Sequence, residues 1–212
     1  MYVPSHFSES RVNVLHDLIR THPFGALVVL ASDGIDANHI PFELDPEPAP
    51  FGTLRGHVAR ANPVWRDFST ELHALVLFQG AHAYISPAWY ATKQEHGKVV
   101  PTWNYAVVHA HGPLRVIDDP AWLRQFVGAL TDRHEAARRD PWRVTDAPAD
   151  FINTMVAAIV GIEIPIAKLT GKWKVSQNRP EKDRAGVAEG LMHSPSDAAI
   201  SMAQLVREKK SG

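Results

Sequence analysis

The sequence predicts an α+β fold built on a closed or split antiparallel β-barrel, with helices packed outside it. Two observations lead to this class. The strands predicted near the start of the chain follow one another without intervening helices, which favours antiparallel pairing over a parallel doubly wound sheet. The dipeptide Asp33-Gly34 between two of these strands is a strong signal for a β-hairpin. With 212 residues, the chain has the length of one domain, or of one domain with a helical appendage.

The first half of the chain is predicted to contain one helix and four strands. Apolar residues recur at helical spacing over residues 8–22, Ser8 can cap this helix, and Pro23 closes it. The predicted strands are residues 25–31, 35–44, 54–59 and 73–79, the last continuing over 81–85. Pro41 cannot donate to a ladder, so the second strand lies at an edge or carries a bulge. A short helix begins at Asn62-Pro63.

The second half is predicted to hold two long strands and the remaining helices. Residues 86–99 form a loop, residues 101–117 a strand with a bend at Gly112, and residues 161–174 the last strand. A helix begins at Asp118-Asp119 and runs through Leu130. Further helices are predicted over residues 151–160, 183–191 and 196–210. We therefore predict a barrel domain over residues 1–191 and a C-terminal helical extension over residues 192–212.

Composition limits the classes of function. The formal net charge is −1 and the isoelectric point is near 6.9, which argues against a strong nucleic-acid footprint but allows a local basic patch. The chain has no cysteine, so disulfides, thiolate metal sites and cysteine nucleophiles are excluded. The first residues lack the pattern of a signal peptide, and no apolar stretch reaches the length of a membrane span. These features predict a cytoplasmic protein.

Cations are concentrated between Lys168 and Arg179. In an extended segment, alternate side chains share one face: Lys168, Thr170, Lys172 and Lys174. Cations placed side by side repel one another unless an anion or acidic groups lie among them. A phosphorylated ligand with a flat ring would explain both the cations and the neighbouring Trp173, whereas a solvated strand end would explain the charges alone.

A second candidate site precedes the short helix at Pro63. Arg60 lies just before this helix, and His57 lies on the strand that leads to it. An arginine beside free backbone N–H groups suits a phosphate. The alternative is an ordinary surface arginine beside Asn62, which caps the helix.

A third candidate site is the segment from Thr102 to Tyr105. On a strand, Thr102 and Asn104 face one way, and Trp103 and Tyr105 face the other. Polar groups on one side and aromatic planes on the other suit a ring that needs both hydrogen bonds and stacking. The alternative is an amphipathic strand with one wet face.

Two weaker patterns involve aromatic residues and histidines. The loop over residues 84–90 gathers three aromatic side chains and is followed by Lys93; such a loop either covers a core or grips a flat ligand. His109 and His111 share a strand face and are able to bind a metal, but no zinc-binding spacing is present, and we predict no metal site.

Taken in order, six segments resemble the PaiB-type FMN-binding negative transcriptional regulators. The resemblance covers residues 1 to about 191. The segments are Tyr2-Val3-Pro4, Asn38-His39-Ile40-Pro41-Phe42, Gly56-His57-Val58-Ala59-Arg60-Ala61-Asn62-Pro63, Tyr84-Ile85-Ser86-Pro87-Ala88-Trp89-Tyr90, Val100-Pro101-Thr102-Trp103-Asn104-Tyr105 and Gly171-Lys172-Trp173-Lys174-Val175-Ser176-Gln177-Asn178-Arg179.

The resemblance implies a split β-barrel related to pyridoxamine-phosphate oxidases and flavin reductases, with FMN bound at a homodimer interface. By analogy with such barrels, His57, Arg60 and Lys93 are expected near the phosphate. Thr102, Trp103 and Asn104 are expected along the ribityl chain and the ring. The remaining expected contacts are assigned to the partner subunit: Lys172, Lys174, Ser176 and Gln177. Lys172 or Lys174 is the candidate cation beside the pyrimidine edge of the ring, where it would stabilise the reduced flavin.

Three functions follow from these observations. The leading hypothesis is an FMN-binding homodimer that acts in redox sensing or regulation, or as an FMN-dependent oxidoreductase; no catalytic acid or base is identified. The second is a DNA-binding negative regulator in which flavin is structural or absent, implied by the family label. The third is a haem-handling barrel that uses His109 or His111.

Overall fold

The computed structural model describes residues 1–208 of the chain, and it confirms the predicted α+β class with antiparallel sheets. The strands are β1 Ser8–Glu9, β2 Phe24–Ala31, β3 Gly34–Pro41, β4 Glu43–Asp45, β5 Thr53–Ala59, β6 Ala74–Ile85, β7 Thr102–Gly112, β8 Arg115–Ile117, β9 Ile159–Pro165 and β10 Lys168–Lys174. The helices are α1 Val12–Thr21, α2 Thr92–His96, α3 Pro120–Glu135, α4 Ala149–Ala157, α5 Glu181–Met192 and α6 Asp197–Glu208.

The chain divides into two compact units. Unit 1 comprises residues 1–22, 78–109 and 169–208, and unit 2 comprises residues 23–77 and 110–168. In unit 1 the strand order is β1-β10-β7 followed by the second part of β6. Strand β1 pairs antiparallel with β10, with Ser8 opposite Lys172. This order places Thr102–Tyr105 and Lys172–Lys174 on neighbouring strands.

Unit 2 contains two groups of antiparallel strands. Strand β2 lies between β3 and the first part of β6, and the β2–β3 hairpin closes with Ala31 opposite Gly34. Gly34 has a φ of +136°, which L side chains rarely adopt, so the predicted hairpin forms where a glycine permits it. Strands β4, β5, β9 and β8 follow one another in the second sheet. The core of α3 and α4 contains Leu123, Ile152 and Val156.

Helices α5 and α6 belong to unit 1. The side chain of Arg184 on α5 donates to the carbonyl of Val206 on α6 at 2.8 Å. The ring of Trp89 lies so close to Gly190 that a Cβ there would meet it at 2.4 Å, so this glycine permits close packing of the loop on α5. The boundary predicted between a barrel domain and an extension at residue 192 stays a prediction.

Several predicted boundaries differ from the structure. Ser8 lies in β1 instead of capping the first helix, which begins at Val12. The predicted strands over 35–44, 101–117 and 161–174 are each two strands, interrupted near Phe42, Pro113 and Ile166. The sequence predicted an edge or a bulge at Pro41 and a bend at Gly112, but it did not predict the break near Ile166, where apolar residues lie on both sides. The end of the predicted helix over 196–210 lies outside the described residues.

No helix among residues 1–208 is long and apolar enough to cross a membrane. Over the same residues, no group of three or more histidine, aspartate or glutamate side chains is placed to hold a metal ion.

Candidate functional site

Three cations in unit 1 lie together without an acidic partner. Lys172, Lys174 and Arg179 make no ion pair with any carboxylate among residues 1–208. The pKa of Lys174 is lowered, and burial is the largest cause; Tyr105 opposes this shift, whereas repulsion from Lys172 and Arg179 adds to it. Because nothing described in the chain compensates these charges, an anion bound among them would lower their electrostatic energy.

The side chain of Lys174 is fixed by the neighbouring strand. Its Nζ donates to Oγ1 of Thr102, and to the carbonyl oxygen of Trp103 at 2.9 Å. These bonds join the predicted ribityl segment to the predicted cation segment within one chain. Their assignment to different subunits of a dimer stays a prediction.

Lys172 is held between aromatic rings. Its Nζ lies 5.3 Å from the ring centroid of Tyr105 and 5.7 Å from that of Tyr2, and it donates to the carbonyl oxygen of Tyr2 at 3.1 Å. At these distances each ring attracts the ammonium group electrostatically. These contacts orient the ammonium group without a carboxylate.

Aromatic side chains of β6 and β7 continue this surface. Trp103 is 50% exposed, and its ring lies 6.0 Å from that of His82 with an interplanar angle of 23°. The rings of Tyr84 and Trp103 form an edge-to-face pair with 6.2 Å between their centroids. We call this surface the cation–aromatic face, and define it by His82, Tyr84, Trp103, Tyr105, Lys172 and Lys174. It offers positive charge and exposed ring planes side by side, which is what a phosphorylated planar ligand requires.

The polarity of β7 is the reverse of a strand with one wet face. Asn104 is 1% exposed, whereas the aromatic Trp103 and Tyr105 point outward. Trp173, suggested by sequence as a stacking plane, is only 4% exposed and belongs to the interior. The exposed tryptophan of the site is therefore Trp103.

Asn104, Ser176 and Gln177 hold the turn that follows β10. The Nδ2 of Asn104 donates to Oγ of Ser176 at 2.9 Å, and Ser176 has a φ of +64°, a left-handed conformation uncommon for serine. The Oε1 of Gln177 accepts from the backbone N–H of Val175 at 2.8 Å, and its Nε2 donates to the carbonyl of His6 at 3.0 Å. Because Asn104 and Ser176 are buried, the geometry favours their positioning the cations over direct contact with a ligand.

Lys93 lies in unit 1 on α2, exposed to solvent. The start of this helix is fixed by Asp183, whose carboxylate accepts from the N–H and the hydroxyl of Thr92 at 2.9 and 2.8 Å. Beside it, Arg179 lies 5.0 Å from the ring centroid of Tyr90. Burial raises the pKa of Tyr90, so its phenol stays neutral. The predicted phosphate contact of Lys93 stays a prediction.

His57 and Arg60 lie in unit 2. Burial lowers the pKa of His57, whose ring packs edge-on against Phe126 at 5.9 Å. The guanidinium of Arg60 donates to both carboxylate oxygens of Asp118 at 2.9 and 2.6 Å, and to the carbonyls of Ala157 and Ile159. A neutral imidazole and a paired arginine have little free capacity for a phosphate, and the predicted role of both residues stays a prediction.

The structure thus brings seven of the ten predicted cofactor residues together in unit 1. They are Thr102, Trp103, Asn104, Lys172, Lys174, Ser176 and Gln177. The flavin contacts expected from the sequence did not include Arg179, Tyr105, His82 or Tyr2, although Tyr105 lies in the third candidate segment. The alternation of side chains along β6 and β7 is a sequence signal for His82 and Tyr105. The position of Tyr2 depends on a contact with Lys172, 170 residues away along the chain, which no local pattern indicates.

A family model described as "Putative FMN-binding domain" matches residues 1–168. The chain is 35% identical to an uncharacterized protein of Emericella nidulans, over 99% of this chain and 97% of the relative. It is 30% identical to the protease synthase and sporulation protein PAI 2 of Bacillus subtilis, over 99% of this chain and 98% of the relative.

Among solved structures, the FAD and heme binding protein of Mycobacterium smegmatis superposes with a TM-score of 0.58 at 17% identity. The match covers 79% of this chain and 73% of that protein. At this identity the likeness concerns the fold, and it confirms the predicted split-barrel architecture.

Proposed function

We propose that this chain, which belongs to the PaiB-like family of FMN-binding split-barrel proteins, uses its flavin for redox chemistry on the cation–aromatic face of unit 1. The predicted family and the predicted FMN cofactor are confirmed, and both are favoured over a haem-handling barrel or a regulator without flavin. The observation that carries the proposal is the group of Lys172, Lys174 and Arg179, which has no acidic partner in the described chain.

The residues of this face match the chemical needs of FMN. When bound, FMN supplies a ring that accepts and donates electrons or hydride. Lys174 and Arg179 would offset the negative charge of the phosphate, or of the reduced ring, and Trp103 offers a half-exposed plane for stacking. A cation at the ring's edge would raise its reduction potential because it stabilises the anionic reduced form.

A comparison of FMN with riboflavin, which lacks the phosphate, tests whether the cations contact the phosphate or the ring. If they contact the phosphate, FMN binds at least about tenfold more tightly than riboflavin, and the difference narrows at high salt. If they contact the ring, the two ligands bind alike, and Lys174→Met lowers the reduction potential of the bound flavin. Equal affinities together with an unchanged potential in the variant would overturn the proposed site.

Bleaching of the bound flavin tests the redox role. Loss of the visible flavin band on addition of NADH or NADPH indicates an oxidoreductase. Bleaching by dithionite alone, reversed by air, favours a redox sensor. A bound flavin that neither reagent reduces would contradict the redox proposal.

A homodimer is the assembly that unit 2 supports best. Residues opposite one another on β2, β3 and β6 share one face of the sheet. The members of this face are Phe24, Ala26, Val28, Leu30, Ile35, Ala37, His39, Pro41, Leu75 and Leu77. Phe24 is 65% and Ile35 is 80% exposed. An outward sheet face is normally polar, so this apolar surface is typical of the centre of an interface.

A second copy of the chain suits this face because two copies of the same largely apolar surface are complementary to each other. Light scattering on the wild type at micromolar concentration is expected to give twice the chain mass. Ile35→Lys places a charge at the centre of the face and is expected to give monomers, whereas Thr145→Lys, on an exposed loop of the same unit, is not. A monomeric wild type would contradict the dimer.

A further inference from the structure

The segment from Tyr2 to Phe7 is firmly held at one end. The backbone N–H of Phe7 donates to the carbonyl of Pro4 at 2.9 Å, and the side chain of Phe7 is buried. The carbonyl of His6 accepts from Gln177 at 3.0 Å. Residues 4–7 are therefore fixed to the turn after β10, beside the cation–aromatic face.

Tyr2 extends from this anchored turn and, at 83%, is the most exposed of the tyrosine, tryptophan and phenylalanine residues among residues 1–208. Its backbone carbonyl accepts a hydrogen bond from Lys172, and its ring lies near the same ammonium group. The ring itself is in contact with solvent over most of its surface. A large ring held beside an aromatic and cationic surface, yet not packed against it, is available to a ligand.

Lys172 has two alternative tasks in this arrangement. In the structure it holds Tyr2, and it is also one of three cations that lack an acidic partner. A bound anion would compete with the carbonyl of Tyr2 for the ammonium group, because a charged acceptor forms the stronger bond. Release of that carbonyl would free Tyr2 to move while residues 4–7 stay in place.

We propose that Tyr2 covers the bound flavin by stacking on its ring, and that Lys172 couples the position of Tyr2 to occupation of the site. The inference rests on the proposed flavin position in unit 1. It adds to that site an aromatic contact contributed from outside the sheet. The contact is to the ring and not to the phosphate, so it is the same for FMN and riboflavin.

Two substitutions of Tyr2 distinguish the role of its ring from that of its backbone carbonyl. Tyr2→Ala removes the ring but keeps the carbonyl that accepts from Lys172, and Tyr2→Phe keeps the ring. We expect Tyr2→Ala to weaken both FMN and riboflavin by the same factor, roughly tenfold, as for loss of one stacked aromatic. Tyr2→Phe should bind within about twofold of wild type. Phe151→Ala, which removes a 53% exposed ring in unit 2, is the matched control.

Flavin fluorescence gives a second measurement. A tyrosine ring stacked on the flavin quenches its emission, so the bound flavin should be brighter in Tyr2→Ala than in wild type. If Tyr2 is purely structural, Tyr2→Ala should lower the melting temperature of the flavin-free protein and leave flavin affinity and quenching unchanged. That result would overturn the proposal that Tyr2 covers the flavin.

Lys174→Met distinguishes the two proposals. If Lys174→Met loses FMN affinity and Tyr2→Ala does not, Tyr2 does not cover the flavin, but the proposed flavin site in unit 1 still holds. FMN binding that neither substitution affects would overturn both. Loss of affinity in both variants, with Phe151→Ala unchanged, supports both.

Discussion

Three cations of unit 1 and three arginines of unit 2 differ in what surrounds them. In unit 2, Arg55 pairs with Asp45 at 2.9 Å and with Glu163 at 2.8 Å, Arg60 pairs with Asp118, and Arg133 pairs with Glu43. In unit 1, Lys172, Lys174 and Arg179 have no such partner among the described residues. Paired charges are satisfied within the fold, whereas an unpaired group of like charges raises its energy until an anion arrives. On the proposed site, this difference distinguishes cations that stabilise the fold from cations that bind the ligand.

The largest expected effect is on FMN affinity in Lys174→Met. Loss of one charge-assisted contact should cost about 1.5–3 kcal/mol, or roughly 10- to 150-fold in Kd. The stability of the flavin-free protein should change little, because the repulsion removed offsets the hydrogen bonds to Thr102 and Trp103 that are lost. Titration of FMN and thermal unfolding of the free protein measure the two quantities. A variant that binds FMN normally but unfolds more easily would make Lys174 a structural cation.

Arg60→Ala tests whether an arginine paired with a carboxylate in unit 2 has only a structural role. Sequence predicts a phosphate contact, whereas the pairing with Asp118 predicts a structural role. From the pairing we expect a lower melting temperature and an FMN Kd close to that of wild type. Arg115→Ala, an exposed arginine of unit 2 that forms no ion pair among the described residues, serves as the control. A drop in FMN affinity confined to Arg60→Ala would restore the predicted phosphate role.

The smallest expected effect is a dependence of stability on pH that arises from His57. Its folded pKa is lowered by burial below the ordinary value of 6.5, so the unfolded chain binds the proton more readily. Above about pH 6.5 the imidazole is neutral in both states and does not reduce the stability of the fold. As the pH falls from 6.5 toward the folded pKa, protonation of the unfolded chain lowers the free energy of unfolding. A difference of one pH unit between the two pKa values corresponds to about 1.4 kcal/mol.

Urea unfolding between pH 7.5 and pH 5 measures the slope of the free energy of unfolding against pH. His57→Gln cannot take up the proton and should flatten the slope, while His73→Gln, at an exposed position of the same unit, serves as the control. An identical slope in wild type and His57→Gln would show that the imidazole of His57 is not buried as a neutral group.

Sequence identified the right segments where chemistry and alternation agreed. Lys172 and Lys174 share a face of β10, and Trp103 faces outward on β7, as strand geometry requires. Sequence failed where burial decides. The amide of Asn104 suggested a wet face but lies inside, satisfied in part by Ser176, and Trp173 fills the interior. Asp118, the partner of Arg60, is 58 residues away along the chain, so no local pattern could indicate it.

We propose that Lys172, Lys174 and Arg179 bind FMN because no carboxylate among the described residues compensates them. Thr170 is half-buried on β10, two residues before Lys172 and on the same side of the strand. Thr170→Glu supplies the missing carboxylate, and Thr170→Gln matches it in size without the charge. We expect the FMN Kd of Thr170→Glu to be roughly tenfold higher than that of Thr170→Gln. Equal FMN dissociation constants in the two variants would contradict it.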